Sequence, residues 1–202
     1  MITSYEQLRD LKRSYLSFGD GSVCLCLLSA ADLRLTFDWR NRDDIRRWFI
    51  NSQTITWEQH LAWWQAYQQR ENDFVFIIKE LQLLRRPVGQ VSLYNIDLEK
   101  HEAEYGRLMI GDERARGQGI ATRATRLLLN WAFHTLGIQR IYLQVLKDNL
   151  PAVKLYHACG FTIERNEVQL YLMSILHYPS STQYQGESFP AQPNRIYKST
   201  SC

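Results

Sequence analysis

The chain has few of the features that place a protein in a membrane or an oxidising compartment. Its longest apolar run, residues 23–28, is much too short to span a bilayer. It has only four cysteines, and no two pairs of them have the spacing of a zinc site. No stretch has the composition of a signal peptide. We therefore expect reduced thiols, a cytoplasmic protein and no metal.

Charge of one sign is also scarce. The formal net charge is +3, and no basic stripe with interleaved aromatic residues occurs. This charge is too low for a typical nucleic-acid-binding protein, although it suits a protein that binds a small anionic ligand. We expect neither nucleic acid nor membrane as a partner.

The composition that is present is typical of a folded domain. Hydrophobic residues make up 45% of the chain and charged residues 22%. After residue 178 the sequence becomes rich in Ser, Gln, Pro and Tyr, with little aliphatic content. We therefore predict one domain over residues 1–178 and a flexible polar tail over residues 179–202.

Hydrophobic periodicity predicts alternating strands and helices. The predicted strands are residues 23–28, 74–79, 88–94, 104–110, 141–146, 161–165 and 168–175. The predicted helices are residues 32–49, 56–69, 120–136 and a short one after Asn149. Asn41 is expected to cap a second part of the first of these helices, and Thr56 has the capping-box pattern with Gln59. Residues 1–20 show only a weak helical pattern.

The strongest chemical signal is a glycine-containing loop, residues 114–119, between a strand and a long helix. The first N–H groups of a helix have no partner within it, and the helix dipole adds partial positive charge there. Gly117 and Gly119 would let a diphosphate approach the backbone with no side chain between them. The spacing matches neither a Walker A loop nor a dinucleotide fingerprint. The loop therefore predicts an anion site of another kind, or a plain turn.

A second signal is an amide and a phenol on one face of a short helix. Asn149 and Tyr156 are seven residues apart, which is two helical turns. Both would point toward the end of the strand at residues 141–146. On these residues alone, a capping role for Asn149 and a packing role for Tyr156 remain the alternative.

Together, the two segments resemble the signatures of the GCN5-related N-acetyltransferases, the GNAT superfamily. Residues 114–119 have the pattern Arg-x-x-Gly-x-Gly of its acetyl-CoA motif, and residues 149–161 contain Asn-x-x-Ala-x-x-Leu-Tyr-x-x-x-Gly-Phe. The resemblance covers about residues 22–176. It implies an α/β (α+β) fold with a mixed, mostly antiparallel sheet flanked by helices. That sheet would be splayed between its fourth and fifth strands, residues 104–110 and 141–146.

The resemblance implies acetyl-CoA as the co-substrate. The residues it places along the pantetheine arm are Leu108, Met109, Ile110 and Asn149, with Tyr156 near the thioester sulfur. The residues it places around the pyrophosphate are Arg114, Arg116, Gly117, Gln118, Gly119, Ile120, Ala121 and Thr122.

The resemblance also implies direct acetyl transfer to a primary amine. Tyr156, as a phenol with an ordinary pKa of about 10, would donate a proton to the departing sulfur. Glu104 would be the general base, provided that its face of the strand lines the cleft. His101 and Tyr171 are the alternative bases. A backbone N–H near Ile110 would stabilise the oxyanion.

The acceptor is predicted from the N-terminal half. Residues 39–41, Trp-Arg-Asn, and a later His-x-x-Trp at residues 60–63 resemble a subset of the superfamily. That subset includes ribosomal-protein N-terminal acetyltransferases and the enzyme that N-acetylates a UDP-linked 4-amino sugar in pseudaminic acid synthesis. The spacing favours the second group, with Arg40, His60 and Tyr94 on the substrate. A peptide N-terminus as acceptor, and a non-catalytic CoA-binding module, remain the alternatives. The chain would be a monomer or a homodimer.

Overall fold

The structure, a computed structural model, describes residues 2–14 and 16–177. The predicted tail, residues 179–202, and the predicted domain limit at residue 178 lie outside the described residues. Of the helices that are described, none combines the length and apolarity needed to cross a bilayer.

The described strands form one mixed sheet in the order β1-β2-β3-β4-β5-β6-β8-β7. The strands are β1 (Ser17–Gly19), β2 (Val23–Leu27), β3 (Phe74–Glu80), β4 (Arg86–Asp97), β5 (Glu102–Ile110), β6 (Arg140–Leu146), β7 (Thr162–Asn166) and β8 (Leu170–Leu176). Neighbours are antiparallel except for β5 and β6, which are parallel. The predicted mixed, mostly antiparallel sheet is therefore confirmed.

Helices cover both faces of the sheet. The described helices are α1 (Tyr5–Arg13), α2 (Leu33–Asn41), α3 (Asp43–Arg46), α4 (Trp57–Gln69), α5 (Ile120–Trp131) and α6 (Leu150–Ala158). A π-helical turn, Ala132–Leu136, continues α5 and ends at Gly137, whose φ of 73° is the left-handed conformation that glycine favours.

Strand β3 shows why there are two hydrophobic layers. Successive side chains of a strand point to opposite faces. Phe74, Phe76 and Ile78 lie in the main core with α5, whereas Val75 and Ile77 lie in a second cluster with α4. The sheet is therefore buried on both faces at its centre.

A side-chain cap explains where α4 begins, whereas α3 has no such cap. The Thr56 hydroxyl accepts from the Gln59 N–H at 3.2 Å, and the Gln59 Oε1 accepts from the Thr56 N–H at 2.8 Å. The predicted capping box is therefore present. The predicted cap at Asn41 is wrong, because Asn41 ends α2 and α3 begins one residue after Arg42. The Asn41 side chain instead bonds both backbone groups of Ile55, at 2.9 and 2.8 Å.

The weak helical pattern of residues 1–20 corresponds to α1, whereas the sequence pattern does not predict β1. Ser4 caps α1, and Leu8 on its inner face is fully buried. Strand β1 pairs with β2. Tertiary packing therefore stabilises a segment whose own pattern is weak.

The sheet opens between β5 and β6. The two strands pair only at Glu102 with Arg140, Ala103 with Ile141, and Glu104 with Tyr142. Beyond these residues β5 continues to Ile110 beside β4 alone, and β6 continues beside β8 alone. The predicted splay between these two strands is therefore confirmed.

Candidate active site

The opening between β5 and β6 forms a cleft of about 580 Å³. One wall consists of β5, the end of β6 and the inner face of α6. Residues 47–51, which follow α3, and Arg40 line the cleft as well. The lining therefore combines strand and helix residues with a polar and aromatic segment.

The structure brings about half of the predicted coenzyme residues into this cleft. Those that line it are Leu108, Met109, Ile110, Arg116, Ala121, Asn149 and Tyr156. The other predicted coenzyme residues lie outside the cleft, in the loop before α5 and in its first turn. They are Arg114, Gly117, Gln118, Gly119, Ile120 and Thr122.

The N-terminus of α5 forms an open backbone cradle. Gly119 is the N-cap residue, with a φ of 74° and no side chain capping the helix. Gly117 also has a φ of 74°, and a Cβ atom added at either glycine would meet nothing within 4 Å. The first N–H groups of α5 therefore face open space with the positive end of the helix dipole. This arrangement fits a diphosphate.

Arg116 is already engaged within the protein. Its guanidinium donates to the Ile110 carbonyl oxygen at 3.2 and 3.3 Å and pairs with Asp44 at 2.7 Å. Arg42 also pairs with Asp44 at 2.7 Å. The hydrogen bond from Arg42, and then the contact with Arg116, lower the pKa of Asp44 to about 2. Arg116 therefore joins the loop to β5 and α3, and the backbone is left as the main anion donor.

Tyr156 projects from α6 into the cleft beside aromatic neighbours. Its ring meets those of Tyr105 and Phe161 edge-to-face, each with ring centroids 5.8 Å apart. Burial, and to a smaller extent Cys159, raises the pKa of Tyr156 above its ordinary value. The phenol therefore keeps its proton at neutral pH, and its hydroxyl has no hydrogen-bond partner among the described residues.

Asn149 combines the two roles that its position suggested. Its Oδ1 accepts from the Ala152 N–H at 3.3 Å and so caps α6. The residue also lines the cleft, where its Nδ2 group has no partner within the described chain. One half of the amide therefore holds the helix, and the other half faces the groove.

Glu104 faces the cleft, as the predicted role requires. Its Oε1 accepts from the Tyr94 hydroxyl at 2.8 Å and its Oε2 from the Asn95 Nδ2 at 2.9 Å. A carboxylate offers about four acceptor positions, so two remain for an ammonium group or a water. Burial, followed by the charge of Glu104, raises the pKa of Tyr94, which therefore stays a donor.

The alternative bases lie elsewhere. His101 is exposed in the turn between β4 and β5, with a φ of 53°, and does not line the cleft. Tyr171, on β8, lies beneath the Lys147 amine at 5.3 Å and is also outside the cleft. Cys159 is buried at the end of α6, where burial raises the pKa of its thiol. That environment suits packing rather than nucleophilic attack.

The structure places His60 in the core rather than on the cleft. Its ring stacks on that of Trp63 at 5.3 Å, and its Nε2 lies 3.1 Å from the Leu33 carbonyl oxygen and 3.3 Å from the Thr36 hydroxyl. His60 and Tyr67 are two helical turns apart on the buried face of α4. The predicted substrate contact from His60 therefore has no support in its position. Burial also lowers its pKa.

Aromatic residues after α3, and not those of α4, line the cleft. The tryptophans of α4 pack in the second core cluster. Trp48 and Phe49, together with Arg47 and Ile50, line the cleft instead. Sequence reasoning missed this segment, although a run of two arginines and two aromatics after a short helix was a visible signal.

Arg40 lines the cleft beside this segment, as predicted. Its Nη2 donates to the Asn51 carbonyl oxygen, and its guanidinium lies 4.4 Å from the centroid of the Phe49 ring. Its Nη1 is buried with no partner among the described residues. Burial, and then the charge of Arg46, lowers its pKa. No described carboxylate pairs with Arg40 or Arg47, so this part of the lining carries uncompensated positive charge. Tyr94 also lines the cleft.

Comparison with known proteins places this geometry among related folds. The profile of the acetyltransferase (GNAT) domain matches residues 22–162. Acetyltransferase PseH of Campylobacter jejuni is 27% identical over 148 residues, which are 73% of this chain and 88% of that protein. An uncharacterized protein of Methanocaldococcus jannaschii is 25% identical over 143 residues, or 70% of this chain. The match spans only 28% of the length of that relative.

A solved structure shows the same fold. Spermidine N-acetyltransferase from Vibrio cholerae, crystallised in complex with CoA and spermine, superposes with a TM-score of 0.71 at 23% identity. The superposition covers 78% of this chain and 96% of that one. At this identity the likeness concerns the fold alone.

Proposed function

The chain belongs to the acetyltransferase (GNAT) family, whose profile spans residues 22–162, and we propose that it transfers an acetyl group from acetyl-CoA to a primary amine by direct attack. The family predicted from the two sequence motifs is confirmed. One observation carries the proposed reaction. The sheet opens beside the uncapped start of α5, and Tyr156 and Glu104 both face that opening.

The described residues fit the coenzyme. The uncapped start of α5 and the open space beside Gly117 and Gly119 suit its diphosphate. The free edge of β5 suits the amides of an extended pantetheine arm. When bound, acetyl-CoA supplies the thioester that is cleaved. Asn149 has a free amide donor beside this groove, and it would orient the arm.

Two side chains move the protons. The Glu104 carboxylate accepts a proton from the incoming ammonium group, directly or through a water, which frees the nitrogen lone pair for attack. The Tyr156 hydroxyl donates a proton to the departing sulfur, whose thiol has a pKa of about 8.5 if it resembles cysteine. The backbone N–H near Ile110 is the proposed oxyanion donor.

The acceptor is proposed to be an anionic, nucleotide-linked amino sugar. The charged residues that line the cleft are Arg40, Arg47, Arg107, Arg116, Asp44 and Glu104. Arg40 and Arg47 have no carboxylate partner among the described residues, and Trp48 and Phe49 offer aromatic surface beside them. Guanidinium groups bind phosphates well, and aromatic rings stack on bases. The relative named acetyltransferase PseH supports this class.

The same charges disfavour a polyamine acceptor. Asp44 is already paired with Arg42 and Arg116, so Glu104 is the remaining carboxylate on the wall of the cleft. A spermidine-like polycation would meet Arg40 and Arg47 without compensation. A chain that binds polyamines at this wall would need acidic residues where these arginines lie.

Thiol release from acetyl-CoA tests both levels of the proposal. The panel contains UDP-linked amino sugars, free amino sugars, peptides and polyamines, and calorimetry measures CoA affinity in parallel. We expect CoA binding, with turnover on the UDP-linked amino sugars. Turnover on peptides or polyamines alone would refute the acceptor class. CoA binding without thiol release for any amine would refute the activity, and absence of CoA binding would refute the coenzyme.

Arg40→Leu refines the acceptor test. We expect KM for the nucleotide-linked acceptor to rise about tenfold to a hundredfold, the loss of one charge-assisted hydrogen bond, while KM for acetyl-CoA is unchanged. Arg34→Leu is the matched control, because Arg34 lies on the same helix but pairs with Asp38 outside the cleft. Equal effects of the two substitutions would remove Arg40 from the acceptor site.

A further inference from the structure

Strand β5 contains a local irregularity next to the proposed base. The pairing with β4 shifts between Gln90 and Ser92, so that Arg107 and Leu108 lie opposite Val91 alone. Arg107 has a φ of 51°, in the left-handed region that residues with a Cβ rarely adopt. Such a bulge re-aims the side chains of a strand, and surrounding contacts must hold it.

Asp73 provides the contact that holds Arg107. Its side chain is only 3% exposed, and its two carboxylate oxygens accept from the two terminal nitrogens of Arg107 at 2.8 and 3.2 Å. Arg70 approaches the same carboxylate at 3.6 Å. A two-pronged pair of this kind fixes the plane of the guanidinium as well as its position.

The fixed guanidinium of Arg107 in turn lies against Tyr94. It sits 4.1 Å from the centroid of the Tyr94 ring, within the range of a cation–π contact. A Cβ added to Gly106 would lie 2.9 Å from the Tyr94 hydroxyl oxygen. The Tyr94 ring therefore lies against the Arg107 guanidinium, and its hydroxyl lies close to the bare backbone of β5 at Gly106. Its hydroxyl donates to Glu104 at 2.8 Å.

We propose that Asp73 and Arg107 are positioning residues that set the orientation of the Glu104 carboxylate through Tyr94. The inference rests on the proposed role of Glu104 as the base. Neither carboxylate oxygen of Asp73 reaches Glu104, so the influence passes through the guanidinium and the phenol. Without the ion pair with Asp73, the Arg107 guanidinium is no longer held in one plane against the Tyr94 ring. The Tyr94 hydroxyl then no longer holds the Glu104 carboxylate in one orientation.

Asp73→Asn and Tyr94→Phe test the proposal kinetically. We expect each substitution to lower kcat about tenfold to a hundredfold, the effect of a small misplacement of a catalytic group, while KM for acetyl-CoA stays the same. The double variant should lose little more than the more affected single variant, because both act through one group. Additive losses, or an unchanged kcat, would overturn the proposal.

Two further measurements separate positioning from general destabilisation. Thr56→Ala removes the side-chain cap of α4 and so destabilises the fold without touching a residue that lines the cleft. Its kcat per folded molecule should be unchanged. Arg107→Lys keeps the charge but loses the two-pronged pair, and it should behave like Asp73→Asn. A normal kcat in Arg107→Lys would contradict the positioning role.

A spectroscopic readout keeps this inference independent of the proposed reaction. With ¹³Cζ-labelled tyrosine, the Tyr94 signal is assigned by its loss in Tyr94→Phe. We expect this signal to shift in Asp73→Asn while the Tyr171 signal does not move. If the native protein releases no thiol with any amine, the proposed function fails even when this shift occurs. An unmoved Tyr94 signal overturns the positioning inference whatever the activity.

Discussion

Tyr156 illustrates how the surroundings of one side chain restrict its chemistry. Its ring is enclosed by Tyr105 and Phe161, and this burial raises the pKa of the phenol above its ordinary value. A tyrosinate is therefore scarce at any working pH. Tyr156 lines the cleft in its protonated form, so it cannot serve as the general base.

Tyr156→Phe should separate binding from chemistry. We expect CoA affinity within about twofold of the native value and a kcat lower by about 10²–10⁴, the usual contribution of a positioned acid. Tyr171→Phe is the control, since that phenol lies outside the cleft. Native turnover in Tyr156→Phe would remove the assigned acid, and a loss in Tyr171→Phe would return Tyr171 as a candidate base.

The ion pairs of Asp44 should make the free energy of unfolding depend on pH. Its pKa falls from the usual 3.8 to about 2 in the folded protein. A depressed carboxylate pKa stabilises the fold at pH values above the unfolded pKa, and the contribution is lost as the pH falls through the folded pKa. Because the side chain is 38% exposed, solvent screens the contribution.

Urea unfolding of the native protein and of Asp44→Asn, each measured from pH 2 to pH 7, tests this dependence of stability on pH. The difference in the free energy of unfolding should be constant above about pH 5, shrink as the pH falls below that value, and be small but not yet zero at pH 2. Asp43→Asn is the control, since its side chain is 89% exposed, and it should change little. A difference that does not depend on pH would mean that the ion pairs with Arg42 and Arg116 contribute nothing.

At the scale of elements, the start of α5 is the feature on which coenzyme binding depends. The helix begins at a glycine and has no side-chain cap. A capped helix would already use the amides that an anion needs, so the missing cap leaves the site open. The cradle is therefore built from backbone, and its sensitivity to substitution should follow backbone geometry.

Gly119→Ala tests the cradle. The methyl group meets no neighbour, but the φ of 74° strains it, and it points into the space an anion would fill. We expect CoA affinity to fall at least tenfold. Gly21→Ala matches the strain, with a φ of 88° and open space around it, and lies in a turn outside the cleft. Equal CoA affinity in the two variants would contradict the assigned cradle.

The sequence predicts an element well when local contacts stabilise it, and poorly when contacts with distant residues do. Helix α4 was predicted at its observed bounds because the capping box of Thr56 is local chemistry. Helix α1 has only a weak pattern in the sequence, because burial of Leu8, a tertiary contact, contributes to its stability besides the local cap at Ser4. The splay of β5 and β6 came from the family resemblance, since no periodicity distinguishes an unpaired strand edge from a paired one.

The site follows the same division. Tyr156, Asn149 and Glu104 were located because fixed spacings place them on one helix face or one strand face. His60 was misplaced because both faces of α4 carry aromatic residues, so spacing could not tell core from cleft. Residues 47–51 lie in a loop, where no period connects sequence to orientation.

At the scale of the whole molecule, the sheet consists of two parts held by a narrow junction. Strands β1 to β5 form one part, and β6 to β8 form the other. The junction within the sheet is the three-residue pairing of β5 with β6. A ligand that occupies the opening would add contacts to both parts, so binding and stability should be coupled.

Hydrogen exchange measures this coupling. In the free protein the β5 amides that face the opening should exchange much faster than those of β3, which pairs on both sides. Saturating CoA should slow the β5 amides and raise the free energy of unfolding, by about 2.7 kcal/mol at a hundredfold excess over Kd. Unchanged β5 exchange with CoA bound would show that the arm lies elsewhere.

The free edge of β5 also has a consequence for the choice of acetyl donor. Main-chain groups recognise a ligand by the spacing of its amides and not by its side-chain chemistry. Acetyl phosphate could occupy the cradle at Gly119, yet it has no peptide-like arm to align along the neighbouring strand. We therefore expect this protein to discriminate among activated acetyl compounds by the length and backbone character of the carrier, even when their intrinsic reactivities are alike.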